Sequence, residues 1–114
     1  MHNMKYNQSI TVTKEIEASR GELWNFISSP EYLNYCHPFC KKNTIIKWDK
    51  GNHSDILEYL NGLVYIRNFY KWEDKKGYSL LIGAENRQQS KVVWEINSKK
   101  NKTFLTITVF PHFL

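Results

Sequence analysis

The first residues that could do chemistry lie in the short segment 36–40, CHPFC, which brings two thiols and an imidazole close together. Thiolate and imidazole groups are zinc ligands, but a structural zinc site needs four, and one of the other three histidines or a carboxylate would have to come from far away in sequence. A disulfide between Cys36 and Cys40 would close a very short loop and would stabilise little. We therefore predict reduced thiols at a junction between a helix and a strand, with no metal and no cofactor.

A second group of polar side chains lies on or near segments that read as strands, where they could point into a cleft: Asp55, Tyr59, Tyr65, Arg67, Glu85 and Arg87, with His37 and His53 near its rim. An enzyme would need such an acid or base with a pKa moved toward neutrality by burial. Arg67 could equally form an ion pair across strands with Glu58 or Glu85 on the outer face of a sheet, which is the commoner role. The sequence shows no Ser-His-Asp set, phosphate-binding loop or metal quartet, so catalysis stays open.

A strand and a capped helix open the domain and must position these groups. In residues 10–17, Ile10, Val12 and Ile16 fall on one side of a two-residue repeat and polar residues on the other, which predicts a half-buried strand. Ser19 and Glu22 then form an S-x-x-E capping box, which predicts a helix start. The spacing of Leu23, Phe26 and Ile27 gives this helix one apolar face, with Trp24 beside it.

The segment 29–31, SPE, predicts a second short helix directly after the first. Ser29 would be its N-cap, Pro30 would occupy the first helical position, and Glu31 would lie in the positive first turn. Pro38 disfavours helical dihedrals at His37, so this helix should end there.

The rest of the chain reads as six strands with short turns. Asn61-Gly62 predicts a two-residue type I′ hairpin. With the first strand, these segments predict seven antiparallel strands, each beside the next along the chain. The predicted strands are residues 39–48, 53–60, 63–74, 78–85, 90–97 and 103–110.

Length and composition predict one domain and exclude several classes of protein. A chain of 114 residues that is 41% hydrophobic and 24% charged has ordinary globular composition. The net charge of +5 comes mostly from lysines at expected turns, whereas specific nucleic-acid readers favour arginine and place aromatic and basic groups on one face, so no specific nucleic-acid binding is expected. No segment has the length and apolarity of a membrane span or a signal peptide, and we expect a cytoplasmic protein.

The order of these elements resembles the helix-grip fold of the START/Bet v 1-like (SRPBCC) superfamily, in particular its polyketide cyclase/dehydrase group. The resemblance covers about residues 9–111 and rests on patterns of fold rather than of mechanism. The residues that carry it are Ile10-Thr11-Val12, Glu15-Ile16-Glu17-Ala18-Ser19, Leu23-Trp24-Asn25-Phe26-Ile27, Ser29-Pro30-Glu31, His37-Pro38, Tyr59 before Asn61-Gly62, Trp94-Glu95-Ile96 and Leu105-Thr106-Ile107-Thr108-Val109. It implies an α+β fold in which a curved antiparallel sheet surrounds a hydrophobic cavity.

One departure from this family concerns the end of the chain. Family members close the cavity with a long C-terminal helix, which is absent from a sequence that ends at Phe110-Pro111-His112-Phe113-Leu114. The apolar inner side of the sheet would then be left exposed. We expect residues 1–114 to be a single, C-terminally truncated domain, although a homodimer through the concave face or the edge strands, or a ligand or partner helix in the groove, would also cover this surface.

The resemblance and the aromatic content together predict a binding protein for a hydrophobic small molecule such as a lipid or a polyketide. A cyclase- or dehydratase-like enzyme acting on a similar ligand and, less strongly, a protein-interaction module are the alternatives. The candidate ligand-binding residues are Leu23, Trp24, Phe26, Ile27, Tyr59, Tyr65, Arg67, Phe69 and Trp94.

Overall fold

The computed structural model describes residues 8–111. Seven strands and two short helices make up this part of the chain, and the α+β class predicted from the sequence is confirmed. The elements are β1 (Ile10–Ile16), α1 (Arg20–Ile27), α2 (Leu33–Cys36), β2 (Cys40–Asp49), β3 (Asn52–Tyr59), β4 (Val64–Glu73), β5 (Gly77–Gly83), β6 (Ser90–Lys99) and β7 (Lys102–Phe110).

All seven strands form one antiparallel sheet in the order β1-β7-β6-β5-β4-β3-β2. Strands β2 to β7 each lie beside the next, as expected, but the prediction that β1 lies beside β2 is wrong. The segment that contains α1 and α2 carries the chain from one edge of the sheet to the other, so β1 pairs with β7. Two pairs of threonine hydroxyls, Thr11 with Thr108 and Thr13 with Thr106, lie within hydrogen-bond distance across this junction.

Helix α1 begins at the predicted capping box. The Glu22 amide donates to the Ser19 hydroxyl at 3.1 Å, and the Ser19 amide donates to the Glu22 carboxylate at 2.9 Å. These bonds with the Ser19 main chain and hydroxyl lower the pKa of Glu22. The helix buries Leu23, Trp24 and Ile27 against the sheet.

Helix α2 begins later than predicted. Ser29 does not cap it, because residues 28–32 form turns and the helix starts at Leu33 after Tyr32, which makes no side-chain cap. Glu31 has a φ of 61°, which is incompatible with a helix, and its carboxylate accepts a hydrogen bond from the Ile45 amide at 3.1 Å. The predicted end of the helix at His37 is confirmed, since its backbone is extended there.

The turn between β3 and β4 also differs from the prediction. The strands end at Tyr59 and restart at Val64, so four residues connect them rather than two. Gly62 has a φ of 93°, but Asn61 is not in the left-handed region; its side-chain oxygen instead accepts a hydrogen bond from the Leu63 amide at 3.1 Å. A hairpin with positive φ at both central residues occurs at Lys100 and Asn101, between β6 and β7.

The hydrophobic core lies between the helical segment and one face of the sheet, which we call the inner face. Every strand contributes fully or partly buried side chains to it, although β1 and β2 contribute only the partly buried Ile16 and Cys40. The fully buried members are Leu23, Trp24, Ile27, Tyr32, Leu33, Leu57, Tyr78, Leu80, Val92 and Ile96. Close packing between β5 and β6 requires Gly77, because a Cβ atom there would lie 1.9 Å from the Trp94 carbonyl oxygen.

The helical segment does not reach the β1 edge of the inner face. Ile10 and Val12 of β1 are 59% and 54% exposed, and their neighbours Ile107 and Val109 on β7 are half-buried. Residues 112–114 lie outside the described part of the chain, so the predicted lack of a C-terminal helix stays a prediction.

Candidate ligand-binding site

A charged pair is buried at the centre of the inner face. The Arg67 guanidinium donates two parallel hydrogen bonds to Asp55, from Nε to Oδ1 at 2.8 Å and from Nη2 to Oδ2 at 2.6 Å. The two residues are directly opposite each other on β3 and β4, and they are 2% and 0% exposed. The alternative of an outer-face pair with Glu58 or Glu85 is therefore wrong, because the register of these strands turns Arg67 inward.

Two phenols extend this buried pair toward α1. Arg67 Nη1 donates to the Tyr32 hydroxyl at 3.1 Å, which lies 2.6 Å from the Tyr78 hydroxyl, and Tyr78 in turn lies 2.8 Å from the Ile27 carbonyl oxygen. Since Tyr78 has one hydroxyl proton, it can donate to the carbonyl while the Tyr32 proton fills the contact between the phenols. The four side chains thus satisfy one another and connect the end of α1 to the middle of the sheet.

The pKa values of three groups in this cluster, the two phenols and the guanidinium, are raised. Burial raises the pKa of Tyr32, and burial together with the neighbouring Tyr32 raises the pKa of Tyr78 well above its ordinary value. Burial alone would lower the pKa of Arg67, but Tyr32 and the hydrogen-bonded Asp55 outweigh it and raise that pKa. Both phenols are therefore neutral and the guanidinium is charged at physiological pH.

Aromatic rings fill the neighbouring part of the inner face. Trp72 lies at their centre, stacked on His53 with ring centroids 3.6 Å apart and on Tyr78 at 5.0 Å. Trp24 of α1 meets Trp72 edge-on at 5.4 Å, and Phe69 meets Tyr78 edge-on at 4.9 Å. These contacts make this region a packed aromatic core.

An apolar groove lies at the opposite end of the inner face, beside the β3–β4 loop. It has a volume of about 370 Å³ and an almost wholly apolar lining formed by Phe39, Tyr59, Leu60, Asn61, Leu63 and Tyr65. Phe39 and Leu60 are held together because the Leu60 amide donates to the Phe39 carbonyl at 2.9 Å. Phe39, Leu60 and Leu63 are 65%, 64% and 49% exposed, an unusual concentration of large apolar side chains at one end of a small domain.

Among residues 8–111, no Asp, Glu, Lys or Arg side chain lines the groove. Burial raises the pKa of Tyr59, with a smaller contribution from Tyr65, whose ring centroid lies 5.3 Å away. His37 lies at the edge of the groove, 5.6 Å from the Tyr59 ring, and burial lowers its pKa. The site therefore suits an apolar molecule better than an ionic one.

A second depression of about 340 Å³ lies where β4, β5 and β6 meet the start of α1, and its lining is mainly polar. There the Arg20 guanidinium donates hydrogen bonds to the carbonyl oxygens of Lys75 and Ile96, at 2.7 and 3.1 Å. These bonds attach α1 to the sheet, so we interpret this surface as structural.

The nine residues predicted to bind a ligand do not share one surface. Tyr59 and Tyr65 line the apolar groove, while Trp94 lies at the polar depression. Phe26 is 42% exposed on α1, Phe69 belongs to the aromatic core, and Arg67 is held by Asp55. Leu23, Trp24 and Ile27 are buried in the core.

Sequence reasoning missed Phe39, Leu60 and Leu63 as groove residues. They stand at the ends of the predicted strands 39–48, 53–60 and 63–74, where alternation of side chains does not reveal that the three converge. Glu85 and Arg87, two of the polar candidates in the sequence, are exposed in the connection between β5 and β6. His53 is buried in the aromatic core.

The CHPFC segment has free thiols in the structure. Cys36 is exposed and Cys40 is half-buried, and burial raises the pKa of both thiols. Among residues 8–111, no three His, Cys, Asp or Glu side chains are grouped so as to hold a metal ion.

The helices in this part of the chain are too short and polar to cross a membrane.

Comparison with solved structures shows a START-like fold. The chain matches a START superfamily protein from Mycobacterium smegmatis with a TM-score of 0.72, at 16% identity over 93% of this chain and 78% of the other. It matches an Aha1 dimer from Colwellia psychrerythraea at 0.71, with 14% identity over 95% and 78% of the two chains. It matches CalU16 from Micromonospora echinospora at 0.66, with 14% identity over 92% and 60%.

The resemblance to the START/SRPBCC fold drawn from the sequence is confirmed at the level of fold by these matches. No protein-family model matches the chain, and no curated protein matches it.

Proposed function

We propose that this protein binds a hydrophobic small molecule, such as a lipid or a polyketide, in the apolar groove at the β3–β4 end of the inner face. The observation that carries the proposal is the concentration of exposed apolar side chains around a concave surface of about 370 Å³. This volume is within the range of roughly 300–1,000 Å³ that is typical of small-molecule sites. The START-like fold supports the proposal, because the family resemblance implies a hydrophobic ligand.

The part of the inner face beneath the helices is already filled and offers no room for a ligand. Aromatic packing around Trp72 and the Asp55–Arg67 pair occupy the part beneath the helices. A ligand at the β3–β4 end needs no displacement of these groups. Tyr59 and Tyr65 are therefore the predicted site residues that keep a direct role in the proposal.

We propose binding rather than cyclase- or dehydratase-like catalysis because the converging ionisable groups are sealed. Asp55 and Arg67 are 0% and 2% exposed, and each satisfies the other. A substrate would have to break this pair to reach a carboxylate. The groove itself offers two phenol hydroxyl groups and a half-buried imidazole, which suit orientation of a ligand.

A matched pair of substitutions tests the site. Leu63 lines the groove and is 49% exposed, whereas Ile46 on β2 is 47% exposed and outside it, so both can be changed to Asp with a similar effect on folding. We expect Leu63→Asp to weaken binding of the neutral probe N-phenyl-1-naphthylamine at least tenfold in a fluorescence titration, and Ile46→Asp to leave it unchanged. A neutral probe is required because a chain of net charge +5 attracts anionic dyes without a specific site.

Two results would contradict the proposal. One is failure of the native chain to bind the probe or a panel of neutral lipids, with native mass spectrometry finding no co-purified hydrophobe. The other is equal loss of binding in both variants, which would indicate general surface adsorption.

The protein's assembly and location form a further part of the proposal. We infer a single domain for residues 1–114, because all seven strands belong to one continuous sheet. A homodimer would cover the exposed β1 side of the inner face or its edge, and one structural neighbour is described as a dimer. Free cysteines are compatible with the reducing conditions of the cytoplasm.

A further inference from the structure

The two edges of the sheet differ in how their main-chain groups are covered. At the β2 edge, the Asn34 side chain imitates a neighbouring strand: its oxygen accepts from the Asn43 amide at 2.7 Å and its nitrogen donates to the Asn43 carbonyl at 2.9 Å. Glu31 accepts from the Ile45 amide at 3.1 Å. Two register shifts also make β2 irregular, so this edge is protected from pairing with another strand.

The β1 edge has none of these features within residues 8–111. Strand β1 pairs with β7 over seven consecutive residues without a register shift. No described side chain bonds to its main chain in the manner of Asn34 and Glu31. A regular strand of this length with a free row of amide and carbonyl groups is a template for a further strand.

The apolar side chains of β1 extend the inner face of the sheet to this edge. Val12 and Ile10 lie on the inner face beside Ile107 and Val109, and they are exposed because no strand within residues 8–111 lies on the other side of β1. A strand added to β1 with its apolar side chains on the same face would therefore cover main-chain groups and continue the inner face.

We propose that the β1 edge binds the β1 strand of a second copy of this chain, antiparallel and centred on Thr13, so that two sheets join into one of fourteen strands. A two-fold axis perpendicular to the sheet keeps both inner faces on the same side. The resulting cross-strand neighbours are Thr13 with Thr13, Val12 with Lys14, Thr11 with Glu15, and Ile10 with Ile16.

Charge selects this register over a nearby alternative. Centring on Lys14 would place two ammonium groups opposite each other, which is destabilising. Centring on Thr13 places no like charges opposite each other, packs the alkyl part of Lys14 on Val12, and joins Ile10 to Ile16. It also pairs two threonines, a favourable combination across antiparallel strands.

A charge-exchange series tests the interface. Val12→Lys would place ammonium groups opposite Lys14 twice in the dimer, so we expect the dimer dissociation constant from sedimentation equilibrium to rise about tenfold or more. The double variant Val12→Lys with Lys14→Glu would place opposite charges together and restore the affinity to within about threefold. Ile46→Lys on the β2 edge, where Ile46 is 47% exposed, should leave dimerisation unchanged.

Disulfide crosslinking between introduced cysteines tests the register of the two β1 strands without a measurement of affinity. In a chain whose Cys36 and Cys40 are replaced by Ser, Thr13→Cys should oxidise to a covalent dimer, because the two thiols are directly opposite. Thr11→Cys should not, since its two copies are four positions apart along the joined strands. A chain that stays monomeric at high micromolar concentration, a dimer unaffected by Val12→Lys, or faster crosslinking through Thr11→Cys would each overturn the proposal.

Discussion

Replacing Asp55 by Asn should destabilise this protein more than any surface substitution. The side chain keeps its shape but loses its charge, so the Arg67 guanidinium would stay buried without a counter-ion. Arg67 is 2% exposed and holds Asp55 through two hydrogen bonds of 2.8 and 2.6 Å, so water cannot replace the lost partner. We expect this change to affect the equilibrium between folded and unfolded protein rather than the surface chemistry.

The magnitude follows from the geometry of the pair. Removing one partner of a buried, hydrogen-bonded ion pair costs about 3–5 kcal/mol, and a domain of this size has a total stability of about 5–15 kcal/mol. Asp55→Asn should therefore remove about a fifth or more of the free energy of unfolding. Urea unfolding followed by tryptophan fluorescence measures this as a lower midpoint with an unchanged slope.

A double variant separates charge from packing. If the cost of Asp55→Asn comes from an uncompensated charge, then Asp55→Leu combined with Arg67→Met should be less destabilising than Asp55→Leu alone. Glu15→Gln is the surface control, because its pair with Lys102 is exposed and has an N–O distance of 3.9 Å. A loss below about 1 kcal/mol for Asp55→Asn would refute the reasoning, because it falls below the range for a buried pair.

Two further substitutions probe the sheet and the aromatic core. Gly77→Ala should prevent stable folding, because its Cβ would lie 1.9 Å from the Trp94 carbonyl oxygen. Gly51→Ala is the control: no atom lies within 4 Å of its Cβ, and it should lower the free energy of unfolding by about 1 kcal/mol. Circular dichroism and urea unfolding compare the two variants. Burial lowers the pKa of His53 below its ordinary 6.5 despite an opposing effect of Asp49, so the unfolded state binds more protons and stability should fall as pH drops below 6.5. His53→Phe should flatten that dependence between pH 7 and 5, and an unchanged slope would contradict this assignment.

Local interactions in the sequence predicted much of the fold. The Ser19–Glu22 capping box uses residues three positions apart, so its chemistry is complete without tertiary contacts. Strand boundaries followed from alternation and turn residues. By contrast, the start of α2 depends on Glu31 reaching the Ile45 amide on a distant strand, which no local pattern can reveal.

A single turn explains why the buried ion pair was not predicted. A two-residue Asn61-Gly62 hairpin would place Asp55 opposite Asn68 and would turn Arg67 away from it. The observed four-residue connection shifts the register by one residue and places Asp55 opposite Arg67. Because side chains alternate with a period of two, this small difference decides which groups point inward.

The same register links the ion pair to the proposed ligand site. Leu57 lies opposite Tyr65 one step along the inner face from the Asp55–Arg67 pair, so the contacts that place the pair also place Tyr65 in the groove. A slip of one residue between β3 and β4 would bury an unpaired charge and would move Tyr65 to the outer face. The buried pair therefore supports the ligand site without touching the ligand. It destabilises the shifted register, in which the apolar groove would lose one of its two tyrosines.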